Sequence, residues 1–178
     1  MSDARHRFPV PQLLFILTAG AFVWAVRHSL PLLPERVATH FGAHGEANGW
    51  MTREGHVRFI LGFGLGLSGL LIVLLHGVRF LPARALNLPD ADFWRSPGHF
   101  PEACRMVARW SWLLGALQLL FLGLLNETLV VANQLSPPRL PWAMLFWPLG
   151  IFLTGTAVLI LGLLQSLRRA RAALTASA

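Results

Sequence analysis

Four apolar runs, each long enough to cross a bilayer as a helix, constrain this chain more than any other feature. They extend from about Gln12 to Leu30, Val57 to Val78, Met106 to Glu127 and Pro141 to Leu167, with the third trailing on toward Gln134. A hydrocarbon core about 30 Å thick takes roughly 20 residues of helix. Backbone N–H and C=O groups cannot be left unpaired in lipid, so runs of this kind must be helical. The expected fold is therefore an all-α integral membrane protein with four transmembrane helices. One membrane domain over residues 1–178 is expected, with substantial connections only at 31–56 and 79–105.

Composition agrees. The chain is 54% hydrophobic and 13% charged, which is richer in apolar residues and poorer in charge than an ordinary soluble domain. The net charge of +7 does not point to nucleic acid. The arginines flank the apolar runs, where they meet anionic head groups, and do not form one soluble face. The single Cys104 excludes an intramolecular disulfide and a cysteine-based metal cluster. Arg5, His6 and Arg7 precede an uncharged run from Phe8 to Val26. That run is too long for the core of a usual signal peptide, so a retained span is expected.

Arginine placement predicts an orientation. Arg5, Arg7, Arg79, Arg84, Arg95, Arg105, Arg109, Arg168, Arg169 and Arg171 fall on one side, and Arg27, Arg36, Arg53, Arg58 and Arg139 on the other. The positive-inside rule puts the richer side, with both termini, the 79–105 connection and Cys104, in the cytoplasm. The 31–56 connection then faces outside. Trp24, Trp50, Trp142 and Trp147 fall near the outer boundary, and Trp94, Trp110 and Trp112 near the inner one, where amphipathic rings anchor helices.

Within the spans, Gly62, Gly66 and Gly69 share one helical face and are expected to let a neighbouring helix approach closely. His76 continues that face and is expected to point into the bundle, as a hydrogen-bonding group rather than a proton relay. Gly150, Gly155 and Gly162 suggest further close contacts. Arg27 and Glu127 close their spans at the same boundary, where an ion pair would lower the cost of each charge.

The segment between the first two spans is the only place where His, Glu, Gly, Pro and aromatic residues crowd together. Pro31 and Pro34 end the first helix, and Gly42, Gly45 and Gly49 permit tight turns. A compact surface cap is expected. His40, His44 and Glu46 are metal-ligand types, but Gly42 and Gly45 interrupt any helix that would place the two histidines on one face. No metal and no other cofactor is expected.

Leu33-Pro34-x-x-Val37-x-x-His40-Phe41-x-x-x-Gly45-Glu46-x-Asn48-Gly49-Trp50 resembles the signature of the bacterial domain of unknown function 1648 family, which overlaps the SdpI-like membrane proteins. Asn87-Leu88-Pro89-Asp90-Ala91-Asp92-Phe93-Trp94 is similar to that family's N-x-P-N-K-x-Y-W stretch. The likeness covers about Pro11 to Arg105. Ala38, Ala47 and Asn48 depart from its usual Pro and Pro-Asp, and Asp90-Ala91 from its Asn-Lys. The resemblance implies a bacterial inner-membrane, multi-pass protein, and some relatives confer immunity to a secreted toxin and signal its presence. Most members have no assigned activity.

The expected function is non-enzymatic: immunity, sensing or partner assembly, with a peptide or membrane-protein partner and the lipid bilayer. His40, Phe41, His44, Gly45, Glu46, Gly49 and Trp50 form the expected recognition loop. Asn87, Pro89, Phe93 and Trp94 form the cytoplasmic motif, where the charges of Asp90, Asp92 and Arg95 are expected to meet a partner. The alternatives are a membrane enzyme with an outer-surface His/Glu site and a transporter or channel subunit acting as an oligomer. No Ser-His-Asp or Cys-His arrangement supports the enzyme. The spans carry little of the polar lining that a permeation path needs.

Overall fold

The computed structural model describes residues 9–176; the Arg5–Arg7 tail lies outside them. Four helices are long and apolar enough to cross a membrane. Helix α1 covers Val10–His28, with Pro11 in its first turn, where a missing N–H costs nothing. A 3-10 turn at Leu30–Leu32 closes it. Two strands follow, β1 at Arg36–Phe41 and β2 at Ala47–Thr52. Helix α2 then runs over Arg53–Gly77, its first turn capped by Gly55 N donating to Thr52 Oγ1 at 3.1 Å. A short α3 at Ala91–Arg95 precedes the long α4, Phe100–Gln134, and α5, Ala143–Ala176.

Helix α4 is the axis of the bundle, and α1, α2 and α5 each pack against it. At 35 residues it is about 50 Å long, well beyond the hydrocarbon thickness. It can therefore carry structure outside the membrane. Phe22 and Val26 of α1, Ile60 of α2, and Leu119 and Leu122 of α4 make the central core. Leu33, Val37 and Val130 pack beneath the strands. Leu86, Trp94, Ala103 and Leu167 form a separate core at the opposite end, where α1 begins and α5 ends.

Several expectations are corrected. The fold is not purely helical: the connection after α1 is an antiparallel β-hairpin. The glycine face of α2 is also different. Gly62, Gly66 and Gly69 have open space where a Cβ would stand, whereas a Cβ on Gly64 would lie 2.6 Å from Phe22 Cζ. The buried stripe of α2 is His56, Ile60, Gly64, Ser68 and Ile72, two residues and about 200° of helix away from Gly62 and Gly66. His76 extends that stripe toward α4. Its Nδ1 is 2.8 Å from the Ile72 carbonyl and 3.4 Å from Ser111 Oγ, and its ring meets Trp112 edge-on.

On α5, Gly155 and Gly162 lie close against Leu117 and Trp110, while a Cβ on Gly150 would meet nothing within 4 Å. Arg27 and Glu127 are both exposed, and no ion pair joins them among the described residues. Trp94 is not an interfacial anchor; it is 1% exposed, inside the core at the far end.

Candidate functional site

The hairpin is fixed from three directions. Its turn closes with Gly42 N donating to Glu46 O at 2.8 Å and Gly45 N to Gly42 O at 2.9 Å. Gly45 adopts φ +80°, a left-handed conformation that favours glycine. Glu46 turns back over the turn, and its carboxylate accepts from His44 N at 3.0 Å. The segment after α4 then grips this turn. Leu140 N donates to Gly45 O at 2.9 Å, Arg139 Nη2 to His44 O at 3.3 Å, and Trp142 Nε1 to Ala43 O at 2.8 Å. At the base, Arg53 N donates to Glu35 O at 3.0 Å.

The third hold is on β1. Asn133 of α4 treats the Ala38 backbone as a neighbouring strand would. Its Oδ1 accepts from Ala38 N at 2.7 Å, and its Nδ2 donates to Ala38 O at 2.9 Å. The second Nδ2 hydrogen goes to Leu129 O at 2.9 Å. Both amide hydrogens and the carbonyl are thereby used, and Ala38 is fully buried.

Just past Ala38 the strand pairing is irregular, with register shifts on either side of His40. A regular strand sends successive side chains to opposite faces. The bulge re-aims them, and Thr39 and His40 both line one cleft of about 420 Å³ between the hairpin, α2 and α4. Its walls are mostly apolar, including Met51, Phe59, Leu122, Leu125 and Leu129. Gly49 lies flat beside the His40 ring, where a Cβ would stand 2.8 Å from His40 Cβ.

His56 and Asn126 bring polar groups into this apolar cleft. His56 Nε2 is 3.1 Å from Asn126 Oδ1, Asn126 Nδ2 donates to Ser29 Oγ at 3.2 Å, and Ser29 Oγ donates to Val26 O at 2.8 Å. Because the Asn126 amide nitrogen gives its hydrogen to Ser29, its oxygen accepts, and His56 is the donor through Nε2–H. The chain of donors crosses from α2 through α4 to the end of α1, so one buried network ties three helices at the level of the cleft. Replacing His56 with Leu strands the Asn126 carbonyl, at about 1–3 kcal/mol. The double variant H56L/N126L is expected to lose less stability than its two single variants added together. Thermal unfolding of the four proteins in detergent checks this, and strict additivity would show that the two groups are not coupled.

The sequence-predicted residues divide. His40 lines the cleft, and Phe41 is half-buried beside it. His44, Gly45 and Glu46 belong to the turn. Trp50 is exposed, with the Arg36 guanidinium 5.5 Å over its ring. Among the described residues no three His, Cys, Asp or Glu side chains are placed to hold a metal ion, and Glu46 is committed to the turn backbone. In the 87–94 stretch, Phe93 and Trp94 pack inward and Asn87 and Pro89 stay exposed. Asp90 pairs with Arg171, and Arg95 Nε donates to Leu86 O at 3.1 Å. These two contacts fasten the connection to itself and to α5.

Ser29, Asn126 and Asn133 have no site role on sequence grounds, and Arg139 and Trp142 have only a boundary role. Asn126 and Asn133 lie seven residues apart in the second half of α4. That spacing places two amides on one face, and it is the signal from which they could have been found.

Fold and site together define a multi-pass, four-helix membrane protein with a clamped hairpin at one end of the bundle. Residues 13–62, which cover most of α1, the hairpin and the start of α2, match the family described as Domain of unknown function (DUF1648). The Asn87–Trp94 stretch lies outside the matched residues. No curated protein and no solved structure matches the chain.

Proposed function

We propose that this is a non-enzymatic recognition protein of a bacterial inner membrane, whose hairpin-capped cleft receives an apolar segment of a peptide or membrane-protein partner. The observation that carries this reading is the cleft itself: largely apolar, framed by a hairpin tied down at its turn, base and strand, with Thr39, His40, His56 and Asn126 as its polar residues. Rigid scaffolds that present a shaped loop are where binding residues concentrate, and few polar groups in an apolar concavity suit a ligand with one polar end. The arginine excess at the opposite end of the bundle supports a hairpin facing outside, where a secreted or neighbouring partner is met. Immunity and sensing are the roles of this kind that the family resemblance suggests.

Photo-crosslinking in native membranes tests the reading. A benzophenone side chain at Met51 or Phe59, in the cleft, is expected to yield a discrete polypeptide adduct. The same probe at the exposed α2 position Val73 is not. Filling the cleft with Leu125→Trp should suppress the adduct while the protein still purifies as wild type does. Adducts to lipid alone, or the same adducts at all three positions, would remove the support for a cleft-bound partner.

A further inference from the structure

A second cleft lies at the opposite end of the bundle, between the start of α1, the first turns of α4 and the last turns of α5, with a volume of about 780 Å³. Arg105, Arg109 and Arg169 line it, and Glu102 is its single carboxylate. Glu102 is already paired with Arg105. Among the described residues, Arg109 and Arg169 have no carboxylate partner. The rest of the wall includes Val10, Leu14, Met106 and Leu113, with Trp110 and Ser166 among the lining residues. Guanidiniums at the ends of two membrane-length helices thus stand over apolar walls. A soluble anion would use the guanidiniums and leave the apolar walls unfilled. A lipid acyl chain without a charged head would do the reverse.

We infer that this cleft is a binding site for one anionic glycerophospholipid, with the lipid phosphate between Arg109 and Arg169 and an acyl chain along Val10, Leu14 and Leu113. Basic pockets between membrane helices select anionic head groups by charge, and guanidinium pairs phosphate oxygens through two parallel N–H donors. Arg105 adds to the field, but its own carboxylate partner partly neutralises it. The site is independent of the hairpin cleft and of any partner bound there.

Native mass spectrometry of the full chain tests this, with delipidated protein titrated by phosphatidylglycerol or phosphatidylcholine. Wild-type protein is expected to bind one phosphatidylglycerol in preference to phosphatidylcholine. Removing both charges in R109Q/R169Q is expected to weaken phosphatidylglycerol binding by roughly thirty-fold, from the usual contribution of two cations near a membrane surface. The double Lys variant R109K/R169K, which keeps the charge, should retain most of the affinity and serves as the check that the positions tolerate substitution. Equal binding of the two lipids by wild type would overturn the proposal, as would undiminished binding by a folded R109Q/R169Q. Displacement of phosphatidylglycerol by millimolar inorganic phosphate would also overturn it, by showing a phosphate-ion site in place of a lipid site.

Discussion

Asn133→Ala is expected to release the hairpin from the bundle. The substitution removes a side chain that satisfies both backbone groups of Ala38, at 2.7 and 2.9 Å, in a fully buried position. Each group left without a partner costs about 1–3 kcal/mol, so the loss of the pair is about 2–6 kcal/mol. The chain can avoid that cost only by letting water reach Ala38. That means lifting β1 and exposing Val37, which packs with Leu33 and Val130. Two readouts follow: a lowered unfolding temperature in detergent, and faster amide exchange confined to the 36–41 and 47–52 strands. Asn133→Gln, with the same amide on a longer stem, should recover neither fully, because the paired geometry depends on side-chain length. If Asn133→Ala exchanged like wild type at Ala38, the clamp would not be what holds the strand.

How much of this was legible in the sequence follows from where the determining physics sits. The spans are a one-dimensional property: about 20 apolar residues in a row must become helix in lipid, and no later contact alters that. The hairpin is different. Ala47-Asn48-Gly49-Trp50-Met51-Thr52 contains few of the β-branched residues that favour strands. Asn48-Gly49 resembles the turn of a two-residue hairpin. In the structure that dipeptide lies inside β2 opposite His40, and the reversal occurs earlier, at Gly42–Gly45. What makes this segment a strand pair is Asn133, ninety-five positions away from Ala38, together with the grip of residues 139–142 on the turn. Tertiary contacts override weak local propensity here, and no window over residues 31–56 contains them.

The glycine face of α2 differs from its sequence pattern for a related reason. Spacing identifies which glycines share a face but not which face is buried, and what crowds Gly64 is a side chain on another helix, Phe22. His40 was legible as a functional candidate from the company it keeps in the sequence. His56 and Asn126 acquire meaning only through each other, across 70 residues.

The sharpest test of the turn uses one substitution at two glycines. Gly45→Ala meets two obstacles. At φ +80° an L side chain costs about 1–2 kcal/mol. The new Cβ would also stand 2.4 Å from the Leu140 carbonyl oxygen. That oxygen belongs to backbone and cannot swing aside as a flexible side chain would. Relief requires the 139–142 segment to withdraw, which breaks Leu140 N to Gly45 O and weakens the bonds from Arg139 and Trp142 to the neighbouring carbonyls. A total loss of about 3 kcal/mol or more is expected, in the range where strain and broken networks place the largest single-site effects. Gly62→Ala makes the same chemical change inside α2 with no atom within 4 Å of the added carbon. It should stabilise by about 0.5–1 kcal/mol through helix propensity alone. Unfolding temperatures of the two variants should therefore move in opposite directions from wild type. A Gly45→Ala protein as stable as wild type, with amide exchange at Leu140 unchanged, would mean that the turn is not pinned against residues 139–142.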